Sequence, residues 1–374
     1  MSNAIGIIFA NSGSDNLQGL AAERPVAAVP FGGRYRILDF ALSSMVNSGI
    51  RTIGLVTPHQ YRPLLDHLGA GKDWFLERKD GGLFILPGVM HGLAGSNHLF
   101  CIKDLENNCE FLEKEYVKNV VISSGDKIYN LNFKETLEFH NEKQADITLL
   151  YKTNPYPGCC LKNKLVLRLG EEQRLAAISD FYLPEEDDGE IPEFAGILVI
   201  RRELLLEMIQ RYSSGGCIDL MAIITMNLGS LKVFAKETNS LIGTICTIKD
   251  YFERSMDLLQ SSVREQLWLG VDRTHTKIVD NPPTKYAEQA QVRNSLIASG
   301  CIIAGEVINS IVFRGVVLEE GCRVQNSILM PQCHIHANAQ TNYAILDKSV
   351  RVHRDNSLQG SKSHPLVVLK KTVI

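Results

Sequence analysis

Three stretches carry residue types and spacings that suit phosphate chemistry. The first is Asn11-Ser12-Gly13-Ser14-Asp15-Asn16, which follows a buried apolar run over 4–10 and precedes a possible helix start at 17–22. A strand, a small-residue loop and a helix start together cradle nucleotide phosphates through backbone N–H groups. This loop departs from that chemistry, because no Lys or Arg occurs from Met1 to Glu23 and Asp15 adds a negative charge. The second is Val120-Val121-Ile122-Ser123-Ser124-Gly125-Asp126. A carboxylate just beyond a buried strand can hold a divalent metal against substrate phosphates, although Ser-Gly-Asp is equally a turn or helix cap. The third is Gly32-Gly33-Arg34-Tyr35-Arg36, a tight turn whose two guanidiniums suit an anion. One of these arginines is expected to pair structurally with Asp39.

The elements that must position these residues follow from patterning. Strands are expected over 4–10, 52–57, 119–123, 146–151 and 196–200, and helices over 37–48, 61–68, 134–142, 202–211 and 219–228. Their alternation predicts an α/β domain with a mostly parallel sheet covered on both faces. Ligands of such sheets sit beyond the carboxyl ends of the strands, which selects the loops after Ala10 and Ser123. A helix over 249–259 is read as leaving this domain, and the polar stretch with Pro282-Pro283 as a linker. Beyond Glu288, Val292-Arg-Asn294-Ser-Leu-Ile297 recurs as Val307-Ile-Asn309-Ser-Ile-Val312 and Val324-Gln-Asn326-Ser-Ile-Leu329, then loosely at Asn342-Tyr-Ala-Ile345. The Asn positions lie 15, 17 and 16 residues apart. This interval, a little short of three hexapeptides, predicts one parallel β-helix coil per repeat, with an antiparallel sandwich as the alternative. The run Leu366–Leu369 is expected to close the stack. The domains are therefore drawn as 1–248, a helix and linker at 249–288, and 289–374.

Composition fits a soluble globular protein: 374 residues, 45% hydrophobic and 22% charged. The formal net charge of −3 gives no reason to expect a nucleic-acid or membrane partner. No apolar run is long enough for a membrane span, and no signal peptide is expected. Nine Cys without a C-x-x-C pair read as reduced thiols and a cytoplasmic location. The vicinal Cys159-Cys160 are taken as ordinary loop or strand residues, with a redox pair as the alternative. His91 and His98 lack metal spacing, and Glu185–Asp188 reads as a solvated acidic loop. His334-Ile335-His336 alternates on one face of a β-helix turn; solvent exposure is the plainer reading and a bound metal the alternative.

The run Val29-Pro-Phe-Gly-Gly-Arg-Tyr-Arg-Ile-Leu-Asp39-Phe, with Asn47-Ser-Gly-Ile50, resembles bacterial glucose-1-phosphate adenylyltransferase (ADP-glucose pyrophosphorylase). So do Gly81-Gly-Leu-Phe-Ile-Leu-Pro87, Ser124-Gly-Asp126-Lys-Ile-Tyr129 and Met256-Asp-Leu-Leu259, so the resemblance spans essentially the whole chain. It implies a Rossmann-like nucleotidyltransferase domain followed by a left-handed β-helix, usually in tetramers. The implied reaction makes ADP-glucose and pyrophosphate from ATP and glucose 1-phosphate, with Asp126 at a metal position.

Several family positions differ here. The basic residue of the first loop is absent from Asn11–Leu17. Val26 stands where the family has a Lys. Gly92-Leu-Ala-Gly95-Ser-Asn97 replaces Trp-Tyr-x-Gly-Thr-Ala. Phe181 falls at the Lys that grips the sugar phosphate, and Thr244 at the second metal carboxylate. Phosphoryl transfer depends on charge neutralisation and positioning, and loss of one electrostatic donor can cost on the order of 10²–10³ in rate. The pattern resembles the second, GlgD-type subunit found beside an active GlgC-type subunit in some Gram-positive bacteria. It implies a regulatory, catalytically impaired chain that needs no cofactor of its own and joins a catalytic partner that uses Mg²⁺, as a heterotetramer. A weakly active enzyme with rearranged ligands and a non-catalytic sugar-phosphate sensor are the alternatives. The implied effector anion falls to Arg34 and Arg36, with Lys370 or Lys371 as further candidates.

Overall fold

The structure is a computed structural model that describes residues 3–11, 17–88, 99–114, 116–154, 164–180, 191–216, 218–269 and 272–374. Nine strands form one mixed sheet: β1 (Ala4–Phe9), β2 (Thr52–Thr57), β3 (Gly82–Pro87), β4 (Asn119–Ser124), β5 (Ile147–Asn154), β6 (Leu165–Leu169), β7 (Leu175–Asp180), β8 (Ile191–Arg201) and β9 (Val233–Glu237). Their order is β7-β6-β8-β4-β1-β2-β3, with β5 pairing both β8 and β9. The strands β4, β1, β2 and β3 run parallel, whereas β8 is antiparallel to β4 and to β5. β1 and β4 are adjacent although the chain between them visits β2 and β3, so their carboxyl ends mark the point where strand order reverses.

The parallel strands are apolar throughout because both faces are covered: every residue of β1 and β2 is buried. On one face the helix Leu38–Asn47 lies so close to β1 that a Cβ on Gly6 would come within 2.4 Å of Met45 Sδ. The five expected strands and the helices Leu38–Asn47, Arg62–Leu68, Phe133–Glu142, Arg202–Tyr212 and Leu220–Met226 are present within a few residues of their expected bounds. The segment over 17–22 forms only a 3₁₀ turn, Gln18–Ala21.

From Lys285 the chain winds into five coils with three flat faces, each a five-stranded parallel sheet. The parallel pairing of Val292, Val307 and Val324 excludes the antiparallel sandwich, and the coils form a left-handed β-helix. The recurring Asn-Ser has two jobs. Asn294, Asn309 and Asn326 occupy left-handed backbone conformations (φ 45°, 46° and 44°), which Asn tolerates better than other side chains. Their amides also form a ladder: Asn294 Nδ2 donates to Asn309 Oδ1 at 2.8 Å, and Asn326 Nδ2 to Asn342 Oδ1 at 2.9 Å. Each Ser hydroxyl accepts the backbone N–H one coil on, as in Ser310 N to Ser295 Oγ and Ser327 N to Ser310 Oγ, both at 3.1 Å. In the next coil Tyr343 takes the left-handed position instead, which explains why that repeat is loose. Leu366–Val368 pairs with Ala344–Leu346 and closes one face.

The helix over 249–259 does not simply leave the first domain. As Ile248–Asp257 it opens with a Thr247/Asp250 capping box. It then inserts Tyr251 and Phe252 into a core built from Phe31, Ile37 and Phe40 on one side and Ile311, Phe313 and Ile328 on the other. The polar stretch that follows is strapped to the helix Leu38–Asn47, with Asn47 Nδ2 donating to Arg273 O and the His275 N–H to Ser43 Oγ. The sheet domain and the β-helix thus share an apolar cluster at their junction, beside the separate cores each keeps for itself.

Candidate functional site

The carboxyl ends of β1 and β4 meet at Gly125, whose N–H donates to Phe9 O at 2.8 Å. A Cβ on Gly125 would lie 2.9 Å from that carbonyl, so only glycine lets the chain pass so close. Asp126 follows directly, almost buried, and accepts a hydrogen bond from Ser124 Oγ. The short strand Lys127–Tyr129 then pairs antiparallel with Ile242–Thr244, in the register Thr244 to Lys127. The Ile245 N–H donates to Asp126 O at 3.2 Å, which extends this two-stranded pairing up to Asp126. Tyr129 is fully buried with its hydroxyl 2.6 Å from Ser123 Oγ, and burial holds its phenol far above the ordinary range.

Thr244 is therefore the register partner of Lys127, the residue that follows Asp126. The Lys127 ammonium donates to Thr244 Oγ1 at 2.8 Å. The residues present do not fit a magnesium ion clamped by two carboxylates. Asp126 supplies one, Thr244 offers a neutral hydroxyl already engaged by an ammonium, and that ammonium repels a second cation. Gly196, at φ +73°, gives the Lys127 stem room: a Cβ there would sit 2.8 Å from Lys127 Cε. This use of Lys127 was legible only as a residue next to Asp126.

Of the first loop, Asn11 is described: its Nδ2 donates to the buried Asp104 Oδ2 at 2.7 Å, on the helix Ile102–Glu106. The amide is thus turned toward the protein interior. Ser12, Gly13 and Asp15 lie outside the described residues, as do Phe181, Cys159-Cys160, His91, His98, the 92–97 stretch and the 185–188 acidic run.

The two turn arginines diverge. Arg36 points inward and donates to Ala28 O, and burial together with the charge of Arg24 lowers its pKa to about 10 against the pull of Asp39. Arg34 is exposed and lies over the Tyr35 ring, 4.9 Å from its centroid. The expected Arg–Asp39 side-chain pair is replaced: Asp39 accepts the Arg36 backbone N–H at 3.0 Å and bonds His67 Nε2 at 2.6 Å. Arg34 instead faces a cleft of about 970 Å³ between sheet domain and β-helix, together with Arg273, Lys277 and Arg314. Burial lowers the pKa of Arg314, and the charge of Arg34 adds to the effect.

Lys370 pairs with Glu23 at 2.8 Å, and the Lys371 N–H donates to Lys348 O at 2.9 Å. Lys348 was not singled out from the sequence. Burial first, and then Arg36 and Arg24, pull its ammonium down to about 8. Arg24 was also missed, although it is the first cation after the basic-free N-terminus; it forms a buried ion pair with Asp347 at 2.8 Å. Arg36, Arg24 and Lys370 thus all lie close enough to Lys348 for their charges to act on its ammonium.

Fold and site together define a nucleotidyltransferase-type domain joined to a hexapeptide β-helix. A nucleotidyl transferase family model matches residues 5–157, and a GlmU-like C-terminal hexapeptide model matches residues 276–361. The chain is 34% identical to the glycogen biosynthesis protein GlgD of Geobacillus stearothermophilus over 369 residues, covering 99% of this chain and 96% of that protein. It is 29% identical over the same spans to GlgD of Bacillus subtilis (strain 168). It is also 29% identical to a glucose-1-phosphate adenylyltransferase of Bacillus cytotoxicus, over 98% of this chain and 97% of that protein. The chain belongs to the family of GlgD glycogen biosynthesis proteins. Among the described residues, no helix is long and apolar enough to cross a membrane.

Proposed function

We propose that this chain is a regulatory, catalytically impaired subunit that works in glycogen synthesis by modulating a catalytic glucose-1-phosphate adenylyltransferase. The observation that carries the reading is the Lys127–Thr244 contact beside Asp126. In this reading Lys127 and Thr244 occupy the place where nucleotidyl transfer to a sugar phosphate needs a second metal-binding carboxylate. The catalytic partner would use Mg²⁺, and this chain would need no cofactor of its own. Coupling would run through a hetero-oligomer, a tetramer in this reading, and through the apolar cluster that the sheet domain and the β-helix share. A cytoplasmic location goes with that partnership.

The crowd of cations at the domain seam favours a second element in the same reading. A sugar phosphate or similar anion held by Arg34, Arg36, Lys370 or Lys371 would relieve their mutual repulsion and shift the subunit's conformation. The test mixes this chain with a catalytic paralogue at increasing ratio and follows ADP-glucose formation. A changed apparent affinity or turnover that saturates at a fixed ratio is expected; rates unchanged at every ratio would overturn the regulatory role.

A further inference from the structure

The β-helix carries a cluster of side chains that the proposed function does not use. Glu319, His336 and His353 occur 17 residues apart, one coil each, and therefore stack in a column. Backbone bonds fix that stacking: the Glu319 N–H donates to Ile335 O and the His336 N–H to Val352 O, both at 3.0 Å. His334 lies two residues before His336 on the same strand face. Glu319 Oε1 sits 2.7 Å from His334 Nε2 and 3.0 Å from His336 Nδ1, while its Oε2 accepts the Ala337 N–H at 3.0 Å. The two imidazoles are stacked, with centroids 4.1 Å apart and planes 24° from parallel. His353 stacks on the far side of His336, 5.7 Å away.

We propose that Glu319, His334 and His336 form a binding site for a borderline divalent transition ion such as Zn²⁺ or Ni²⁺, with water completing the shell. One donor atom from each of the three residues lies within 4.8 Å of the others, and no other group of three or more such side chains among the described residues does so. Two imidazoles and a carboxylate are a donor set these ions favour. Bonds of about 2.0–2.2 Å set donor atoms roughly 3.4 Å apart in a tetrahedral shell, so Glu319 and the two rings draw apart by about half an ångström to admit the ion. The three residues are about one-third exposed, so an ion can reach them, yet the Ala337 N–H already orients the carboxylate as a supporting contact does. On binding, each imidazole gives up the proton it now holds toward Glu319 and coordinates through that nitrogen as a neutral ring protonated on the other. Arg351, which pairs in register with His334, is the one cation in the adjoining coil position and opposes binding. The bound ion would staple two successive coils, because Glu319 belongs to one and both histidines to the next.

The full chain, stripped of metal and kept reduced, is titrated with Zn²⁺ and separately with Ni²⁺ by calorimetry. Wild type, His336→Ala and Glu319→Gln are compared. One equivalent that vanishes in His336→Ala and weakens at least tenfold in Glu319→Gln supports the site. Binding that is absent, or equal in all three proteins, overturns it and leaves the cluster as a hydrogen-bonded trio. Imidazole ¹⁵N spectra of the wild type guard against a misfolded variant. Shifts of the His334 and His336 ring nitrogens on Zn²⁺ addition are expected, and unmoved rings refute the site.

Discussion

Replacing Asp347 by Asn isolates the strongest electrostatic tie between the two halves of the molecule. Arg24 and Asp347 are 6% and 4% exposed and 2.8 Å apart. Arg24 also donates from Nε to Leu20 O at 2.9 Å, and Asp347 accepts the Lys348 N–H at 2.7 Å. Breaking one side of such a buried pair costs about 3–5 kcal/mol, because the other charge stays buried without compensation. With an unfolding entropy of roughly 2 cal/mol/K per residue, a chain of this length melting as one unit loses about 4–6 °C. The cost has a second part. Asp347 is the group that raises the Lys348 pKa against burial, Arg36 and Arg24, so its loss pushes that ammonium below about 8. A lysine whose folded pKa is depressed binds fewer protons folded than unfolded, so stability rises with pH between the folded and unfolded values. In the wild type this rise begins near pH 8; in Asp347→Asn it begins at lower pH. Calorimetric melts from pH 6 to 10 measure both effects. The double variant Arg24→Met with Asp347→Leu should recover most of the lost stability. A shift under about 1 °C in Asp347→Asn would refute the claim that this pair ties the domains.

Three further outcomes follow from the geometry. Burial lowers the pKa of His140 to about 4 from 6.5, so the unfolded chain binds its proton first; stability should fall as pH drops from 6.5 toward 4, with a shallower slope in His140→Gln melts. Asn326→Ala should cost about 1–2 kcal/mol, from a left-handed backbone and a broken amide ladder, while Asn326→Gly recovers the backbone part; urea melts distinguish the two. Thr244→Asp should not restore ADP-glucose synthesis, because the Lys127 ammonium 2.8 Å from that side chain pairs with the new carboxylate; turnover in this variant would contradict the electrostatic reading of the site.

The sequence carried the parts of this fold that periodicity encodes. The continuous apolar runs of β1, β2 and β4 and the Asn-Ser repeats fixed a parallel sheet and a β-helix, since each reports burial on both faces or a recurring left-handed turn. β6, β7 and β9 were not legible. They are short and mix polar with apolar residues; β6 and β9 pair with β8 and β5, and β7 with β6 alone. The candidate site could be named position by position, as at Asp126 and Thr244, and the strand register sets Thr244 opposite Lys127. It was not legible where partners come from remote segments. Nothing near Asp39 announces His67, nothing near Arg24 announces Asp347, and the Arg34-x-Arg36 spacing does not say that one side chain points inward and the other out.

The most direct test of the account is ADP-glucose synthesis by this chain alone, with ATP, glucose 1-phosphate and Mg²⁺, measured beside its Asp126→Asn variant. The account predicts at most a trace rate, the same in both proteins. Robust turnover by the chain alone that Asp126→Asn abolishes would contradict it.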